Sequence, residues 1–452
     1  MRLAVYVLGR MVAVLESAGD FESVLTYLPD TNPADFVSLT MPARAQSYVW
    51  KDVLHPIFQM NLPEGFLLQV LQEQFGPHVT GNPQALLAMI GRNMLGRLQV
   101  SGPGAVLDQP VKSVELANIL QGDNSEEAFA ELVRQHASSG VSGVTPKFLD
   151  GQEPSGGGFG PHQKTTLVTG KHIIKGSSGK LPYITLNEHL CMQVARRVTP
   201  AARTDLSNDA QALVVTRFDV DDRGRPHLGM EDFCVLLGLR PAAKYDTTWE
   251  RVAKAVRDHV PGALQHESFR QLANTLLLTF ALRNADCHAK NLSLVYTSRA
   301  DARLSPLYDM VTTCVYPGYQ HNPPGISVLG RKTWSPGKSL SQFIAASFGV
   351  AMREQVRMVE AISDAVSDTA PEVRSAMMRY PGFRDIGKHM LIAWRNGVGS
   401  LRNRRVYSMG EWMPGEAFAG FSDPPKLERN HTVVGESEGL AKRSRSTKRR
   451  RL

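Results

Sequence analysis

The stretch RNADCHAKNLSLVY, residues 283–296, says most about the fold of this chain of 452 residues. It continues from QLANTLLLTFALRN (271–284), which is apolar on nearly every side and therefore predicts a buried helix. LSLVY (292–296) then predicts a short strand. Asp286 and Asn291 are thus expected on a loop between a buried helix and a strand, where the fold would fix their relative positions.

Asp286 and Asn291 have the D-x-x-x-x-N spacing that is typical of kinase catalytic loops. In such a loop the carboxylate accepts the proton of the attacking hydroxyl, and the amide oxygen binds Mg²⁺, which prefers hard oxygen ligands. A second carboxylate is expected after the strand, and SPLYDMVTT (305–313) supplies Asp309. The pattern therefore predicts one base, Asp286, and two metal ligands, Asn291 and Asp309.

The residues before this loop predict a small lobe that binds a nucleotide. TTLVT, KHIIK and ALVVTRF are predicted strands, and LNEHLCMQVARRV, between the last two, is a predicted helix. Lys175 in KHIIK would contact the phosphates, and Glu188 on the helix would orient that lysine through an ion pair. ALVVTRF would lead to the hinge, where backbone groups near Val215 and Arg217 would border the adenine.

A glycine-containing loop, SSGVSG (138–143), precedes these strands. Its backbone N–H groups could bind phosphate oxygens, and the predicted cradle consists of Gly140, Val141, Ser142 and Gly143. Such a loop is more often merely flexible, as SGGGFG (155–160) is expected to be. The interpretation therefore rests on the order of loop, lysine, glutamate, hinge strand, D-x-x-x-x-N and second aspartate.

Each single residue also has an ordinary structural interpretation. Lys175 could be a solvated strand residue, Glu188 a surface helix residue, and Asp309 the cap of a turn. Cys287 and His288 are not expected to form a nucleophilic dyad, because adjacent side chains on a loop diverge.

Four regions are predicted along the chain. LAVYVL and MVAVLE, separated by Gly9 and Arg10, predict a β-hairpin, and helices are predicted over 66–75 and from Pro83. The regions are an N-terminal α/β subdomain, a small lobe, a helical large lobe and a disordered basic tail, over residues 1–105, 106–235, 236–422 and 423–452. The fold class is α+β, with two protein-kinase-like lobes.

The basic charge of the chain is concentrated at its end. The formal net charge is +8, but the last eleven residues, KRSRSTKRRRL, hold seven of the 51 basic residues and no acid. The remaining chain is close to neutral, so the folded part need not bind nucleic acid. The tail suggests weak, salt-dependent contact with nucleic acid or ribosomes, although a solvated tail is the more ordinary reading.

Cysteine usage and hydropathy favour a cytoplasmic protein. The four cysteines form no C-x-x-C pair, which disfavours a zinc ribbon, a thioredoxin motif or a dense disulfide framework. The first twenty residues are interrupted by Arg10 and Glu16, so they make a poor signal peptide. The longest apolar helix candidate is much shorter than the roughly 20 residues that a bilayer requires, and no membrane partner is expected.

Taken together, these motifs resemble the HipA-like serine/threonine kinases, the toxins of bacterial toxin–antitoxin pairs. RNADCHAKNLSL is similar to the family's N-x-D-x-H-x-K-N-x-S motif, and LSPLYDMVTT is similar to its second aspartate segment. LPEGFLLQVLQEQFG and GRNMLGRLQV resemble its N-terminal subdomain. VSGVTPKFL resembles its glycine loop, and HIIK, NEHLCMQVA, RFD and EDFCVLLGL follow in the family's order.

The resemblance implies an ATP- and Mg²⁺-dependent kinase. Asp286 would be the catalytic base, Asn291 and Asp309 would bind Mg²⁺, and Lys175 would contact ATP. His288 and Lys290 would support the loop or the transferred phosphate. The resemblance also implies a protein substrate, such as an aminoacyl-tRNA synthetase, and a helix-turn-helix antitoxin that links the toxin to DNA.

The chain departs from the family pattern at the glycine loop and at its end. Gly140 occupies the position where family members commonly carry an autophosphorylated serine, so Ser139 and Ser142 are the candidate displaced sites. The basic tail lies outside the pattern. Two alternatives therefore remain: a pseudokinase that binds an antitoxin as a transcriptional co-regulator, and a nucleic-acid-binding protein that acts through its tail.

Overall fold

The computed structural model describes residues 1–19, 22–62, 68, 73, 76, 81–104, 107, 115–138, 165–334, 336–402, 409 and 415–418. Four sequence predictions lie wholly or almost wholly outside these residues: the cradle from Gly140 to Gly143, the glycine-rich loop 155–160, the helix over 66–75 and the basic tail. Within the described ranges, no helix is both long enough and apolar enough to cross a bilayer.

The N-terminal region forms a five-stranded antiparallel sheet in the order β4-β3-β2-β1-β5. The predicted hairpin is present, but its two-residue turn is Leu8-Gly9 and not Gly9-Arg10, since Val7 pairs directly with Arg10. Both turn residues have positive φ, as a tight hairpin turn that follows the twist of its strands requires. The strands are β1 (Arg2–Val7), β2 (Arg10–Ser17), β3 (Ser23–Tyr27), β4 (Tyr48–Trp50) and β5 (Leu98–Ser101), with short helices α1 (Pro56–Gln59) and α2 (Pro83–Ile90).

A second, four-stranded antiparallel sheet follows, in the order β6-β7-β9-β8. The predicted strands TTLVT, KHIIK and ALVVTRF form β6, β7 and β9, and the predicted helix between the last two packs beside the sheet. The elements are α3 (Leu116–Gln121), α4 (Glu126–Ser138), β6 (Thr165–Val168), β7 (His172–Gly176), α5 (Ile184–Val198), β8 (Thr204–Leu206) and β9 (Ala212–Thr216).

The rest of the described chain is mainly helical around a small sheet in the order β10-β11-β12. Helix α8 is the predicted apolar helix, and all but a few of its side chains beyond Ser268 are buried. The elements are β10 (Gly229–Asp232), α6 (Phe233–Leu237), α7 (Trp249–His259), α8 (Gly262–Leu282), β11 (Ser293–Tyr296), β12 (Arg303–Leu304), α9 (Gly337–Phe348), α10 (Met352–Arg379) and α11 (Arg384–Leu401).

One large hydrophobic core joins helix α5 of the small lobe to the helices of the large lobe, and a separate core fills the N-terminal sheet. The antiparallel small-lobe sheet, its single long helix and the helical large lobe confirm the predicted α+β class with two kinase-like lobes. The catalytic-loop candidate lies where helix α8 ends and β11 begins, as the sequence predicted.

Candidate active site

The loop after helix α8 is held in a fixed shape by its own polar groups. Arg283 ends the helix in the left-handed conformation, with φ of 56°. The Asn284 side chain then accepts a hydrogen bond from the Asp286 N–H at 3.0 Å. The Ala285 N–H donates to Thr313 Oγ1 at 2.9 Å, which ties the loop to the segment after Asp309.

Asp286 is fully buried, and its carboxylate accepts a hydrogen bond of 2.6 Å from the Tyr245 hydroxyl. Burial, reinforced by the negative charge of Asp286, raises the pKa of Tyr245 well above its ordinary value, so this phenol remains a donor. The Tyr245 ring also packs edge-on against His288, with ring centroids 4.9 Å apart. Tyr245 was not singled out from the sequence.

Asn291 is oriented by the same loop. Its Nδ2 donates to the Asp286 carbonyl at 2.8 Å, within the short 3₁₀ turn Ala289–Asn291 and its flanks. This bond uses the nitrogen of the amide and leaves its oxygen as the atom that could ligate a cation. Mg²⁺ prefers oxygen ligands of this kind.

Lys175 lies between two acidic side chains that come from distant parts of the chain. Its Nζ is 2.6 Å from Glu188 Oε1 on helix α5 and 2.7 Å from Asp309 Oδ1. These side chains are largely buried, at 15%, 3% and 19% exposure for Lys175, Glu188 and Asp309. One lysine charge faces two carboxylates, so loss of Lys175 would remove the cation that both of them contact in a poorly solvated site.

Asp309 has a left-handed backbone, with φ of 60°, which aspartate tolerates better than most residues. The segment beyond it is fixed to helix α5 by Asn187. The Asn187 amide donates to the Thr312 carbonyl and accepts from the Thr312 N–H, both at 2.9 Å. Asn187 precedes Glu188, so two neighbouring residues of helix α5 position the segment after Asp309 and Lys175, respectively. This role of Asn187 was not predicted from the sequence.

A cleft of about 990 Å³, a volume that includes open solvent at its mouth, lies between the small-lobe sheet and this loop. Its polar end is lined by Lys175, Glu188, His288, Lys290, Asn291 and Asp309. Its other end is mainly apolar and is lined in part by Leu95, Val168, Ile173, Val215, Met230 and Tyr308. A charged end next to an apolar end matches a nucleotide, whose phosphates are anionic and whose base is planar and apolar on its faces.

Other predicted site residues occupy the walls of this cleft. Val215 pairs with both neighbouring strands, and the Arg217 N–H donates to the Lys171 carbonyl at 2.9 Å, so that amide already has an acceptor. The Arg217 side chain forms a two-point ion pair with Asp219, at 3.0 and 2.6 Å. Arg217 is thus held mainly as a structural residue.

Asp286 itself is absent from the cleft lining, whereas His288 is part of it and has its Nε2 3.8 Å from Asp286 Oδ1. The base candidate is therefore shielded in this conformation. The predicted cradle residues Gly140, Val141, Ser142 and Gly143, and the candidate modification site Ser139, lie outside the described residues.

The fold and the cleft define a two-lobed protein of the kinase-like class. Family models identify it further: one described as the HipA N-terminal domain matches residues 3–101, and one described as the HipA-like C-terminal domain matches residues 139–373. The chain belongs to the HipA-like family.

Two relatives come from Sinorhizobium fredii. The protein named "Putative kinase Y4dM" is 28% identical over 282 residues, which is 58% of this chain and 63% of the relative. The protein named "Putative kinase Y4mE" is 27% identical over 315 residues, which is 64% of this chain and 71% of the relative. The matched part thus covers less than two thirds of the first relative and slightly more than two thirds of the second.

A solved structure resembles almost the whole chain. It is HipA of Shewanella oneidensis, determined in a complex with HipB and operator DNA. The TM-score is 0.61 at 15% identity, over 90% of this chain and 97% of that one. This similarity shows that the fold is shared along nearly the full length.

Proposed function

We propose that the protein is an ATP- and Mg²⁺-dependent serine/threonine protein kinase, the toxin of a toxin–antitoxin module. The observation that carries this proposal is the polar end of the cleft, where Lys175 joins Glu188 to Asp309 and Asn291 is oriented by the Asp286 loop. Family membership and the kinase names of the relatives support the same activity.

Each polar side chain has a defined part in phosphoryl transfer. Asn291 and Asp309 offer oxygen ligands for Mg²⁺, and Lys175 would bind phosphate oxygens while Glu188 keeps its ammonium group in place. When bound, Mg²⁺ neutralises charge on the phosphates. His288 and Lys290, at the same end of the cleft, would contact the transferred phosphate or support the loop.

Asp286 would accept the proton of the substrate hydroxyl, and Tyr245 would hold one carboxylate oxygen so that the other is directed to that proton. Because Asp286 is fully buried, a hydroxyl reaches it only after neighbouring side chains such as His288 move. Binding of ATP and of the protein substrate would supply this rearrangement.

The activity is tested by phosphotransfer from γ-labelled ATP into host lysate, with wild type and Asp286→Asn compared in Mg²⁺ and in a chelator. We expect label in a protein only with wild type and Mg²⁺, and phosphoserine or phosphothreonine after hydrolysis. Asp258→Asn, a surface aspartate paired with Lys254, is the matched control and should label normally. Equal labelling by wild type and Asp286→Asn would contradict the proposed base.

The proposal also includes the protein substrate and an antitoxin that inhibits the kinase. A translation component is the proposed substrate, and the labelled band from lysate identifies it by mass spectrometry. The solved HipA structure contains HipB and operator DNA, which supports a DNA-binding antitoxin as the partner here. If a neighbouring reading frame encodes a helix-turn-helix protein, its product should bind this chain and suppress labelling; no binding would contradict the module.

A further inference from the structure

We infer that the N-terminal domain is a direct part of the nucleotide site, through a junction segment made of Leu95, Gly96 and Arg97. This inference rests on the proposed function, because it assigns the base of the nucleotide to the apolar end of the cleft. In this arrangement, the segment that leads into the N-terminal sheet supplies one wall of the base pocket, and its hydrogen bond to Asp219, just after strand β9, fixes that wall in place.

Leu95 lies where three parts of the chain meet. It is 5% exposed and lines the cleft, although it precedes strand β5 of the N-terminal sheet. Its apolar neighbours form one buried cluster drawn from the small-lobe sheet and the large-lobe sheet: Val168, Leu228, Met230 and Val295, with Ile173, Phe218 and Tyr308 packed against them. Leu95 therefore closes an apolar surface that neither lobe completes alone.

Gly96 connects this wall to Asp219, which follows strand β9. Its N–H donates to Asp219 Oδ2 at 2.7 Å, and Asp219 is in turn held by the two-point pair with Arg217. Gly96 has φ of 82°, and a Cβ added to it would lie 2.9 Å from the Met230 backbone nitrogen. Only glycine permits both this backbone conformation and this close approach.

Arg97 anchors the junction segment to the large lobe. Its guanidinium lies beside the stacked Phe36 and Tyr296 rings, 4.3 and 4.9 Å from their centroids. It donates to the Phe36 carbonyl at 2.8 Å and to the Thr297 carbonyl at 2.9 Å, and the residue is only 2% exposed. The three consecutive residues thus contact the cleft, the hinge and the large lobe, so displacement of the N-terminal domain would displace a wall of the cleft.

The ligand group that this wall fits is a nucleobase. Its faces are apolar and planar, so burial against aliphatic side chains is favourable, whereas the phosphates gain nothing from Leu95. The Leu95 side chain should therefore contribute to the affinity for ATP and not to the affinity for inorganic tripolyphosphate, which would use only the polar end.

The test is a calorimetric titration of ATP and of tripolyphosphate into wild type, Leu95→Ala and Leu25→Ala. Leu25 is a buried leucine in the core of the same domain, away from the cleft, and so controls for general loss of packing. We expect Leu95→Ala to raise the Kd for ATP about tenfold, as loss of a few buried methyl contacts does, with tripolyphosphate unchanged. Leu25→Ala should leave both Kd values near those of wild type.

The outcomes separate this inference from the proposed function. If wild type binds ATP and Leu95→Ala binds it equally well, the inference is wrong and the kinase proposal stands. If Leu95→Ala weakens ATP and tripolyphosphate alike, Leu95 acts only through stability and the inference is again wrong. If wild type binds no ATP, both fall.

Gly96→Ala offers a second, independent arm in case Leu95→Ala unfolds. Gly9→Ala is its matched control, because Gly9 has φ of 77° in the same domain but nothing within 4 Å of an added Cβ. Both substitutions place alanine at a positive φ and so cost similar backbone strain. Only the Cβ of Gly96→Ala would clash with Met230 and disturb the hydrogen bond to Asp219. A several-fold weaker ATP affinity in Gly96→Ala alone supports the inference, and equal ATP affinities in the two variants contradict it.

Discussion

The two ends of the cleft are built in different ways. The polar end is made of side chains that lie in short sequence motifs, and there Lys175 contacts both Glu188 and Asp309. The walls of the apolar end come from the N-terminal domain, the small lobe and the large lobe. Chemistry at one end depends on individual atoms, whereas binding at the other depends on how three parts of the chain pack.

This difference implies two kinds of mutational effect. A substitution at the polar end should lower the catalytic rate strongly and leave most of the fold intact, since each polar group has a specific role in the reaction. A substitution at the apolar end or at the domain interface should change nucleotide affinity or stability less, since many apolar contacts each contribute a small part of the free energy.

After loss of the base Asp286, the largest effect is expected for Lys175→Met. Loss of the ammonium group removes the phosphate contact and leaves Glu188 and Asp309 uncompensated. We expect phosphotransfer to fall about 10²–10³-fold, as it does when one preorganised electrostatic group is removed. Lys171→Met, at an exposed lysine four residues earlier, is the control and should retain activity. Normal transfer by Lys175→Met would place the phosphate contact elsewhere.

Asp309→Asn should come next, with its main effect on metal binding. The substitution keeps the shape of the side chain but weakens it as a Mg²⁺ ligand and as a partner of Lys175. We expect the gain in ATP affinity on adding Mg²⁺, measured by titration with and without a chelator, to shrink about tenfold. An unchanged Mg²⁺ dependence would remove Asp309 from the metal site.

Tyr245→Phe should have a moderate effect on rate alone. It removes the 2.6 Å hydrogen bond to Asp286 but keeps the ring that packs against His288. We expect kcat to fall about three- to tenfold, the net worth of one hydrogen bond, with ATP affinity retained. Because the pKa of Tyr245 is raised well above its ordinary value, the defect should persist undiminished up to mildly alkaline pH.

Tyr380→Phe is the control for that experiment, since its hydroxyl donates at 3.0 Å to the Asn208 carbonyl at the protein surface. It should leave kcat unchanged. If Tyr245→Phe also left kcat unchanged, Asp286 would not need this donor for its position.

The smallest effect is expected at the domain interface, at Glu231. This buried carboxyl accepts from Ser38 Oγ, from the Leu39 N–H and from the Tyr296 hydroxyl. Burial raises its pKa above the ordinary value in the folded state. The folded protein therefore binds this proton more tightly than the unfolded chain, and stability is lost as pH rises from the ordinary pKa through the folded one.

Glu231→Gln removes this titration while an amide can still accept from Leu39 and Tyr296. We expect the free energy of unfolding of wild type, relative to the variant, to be lower at about pH 8 than at about pH 5. Urea unfolding at the two pH values measures it. Parallel stability changes in both proteins would show that Glu231 does not titrate in this range.

The same contrast explains what could be predicted from the sequence. The order of strands and helices followed from hydrophobic pattern, and Asp286 and Asn291 could be proposed because their spacing lies within one loop. Tyr245 could not be linked to Asp286, because the two residues are 41 positions apart with no motif between them. The Gly96–Asp219 contact spans 123 positions and depends on packing between domains, which no local pattern encodes.

The most direct test of the account is a crystal structure of the protein with Mg²⁺ and a non-hydrolysable ATP analogue. We expect one nucleotide along the cleft, with the metal bound by Asn291 and Asp309, the phosphates at Lys175 and the base against Leu95 and Met230. A nucleotide bound outside this cleft, or bound in it with the metal away from both Asn291 and Asp309, would contradict it.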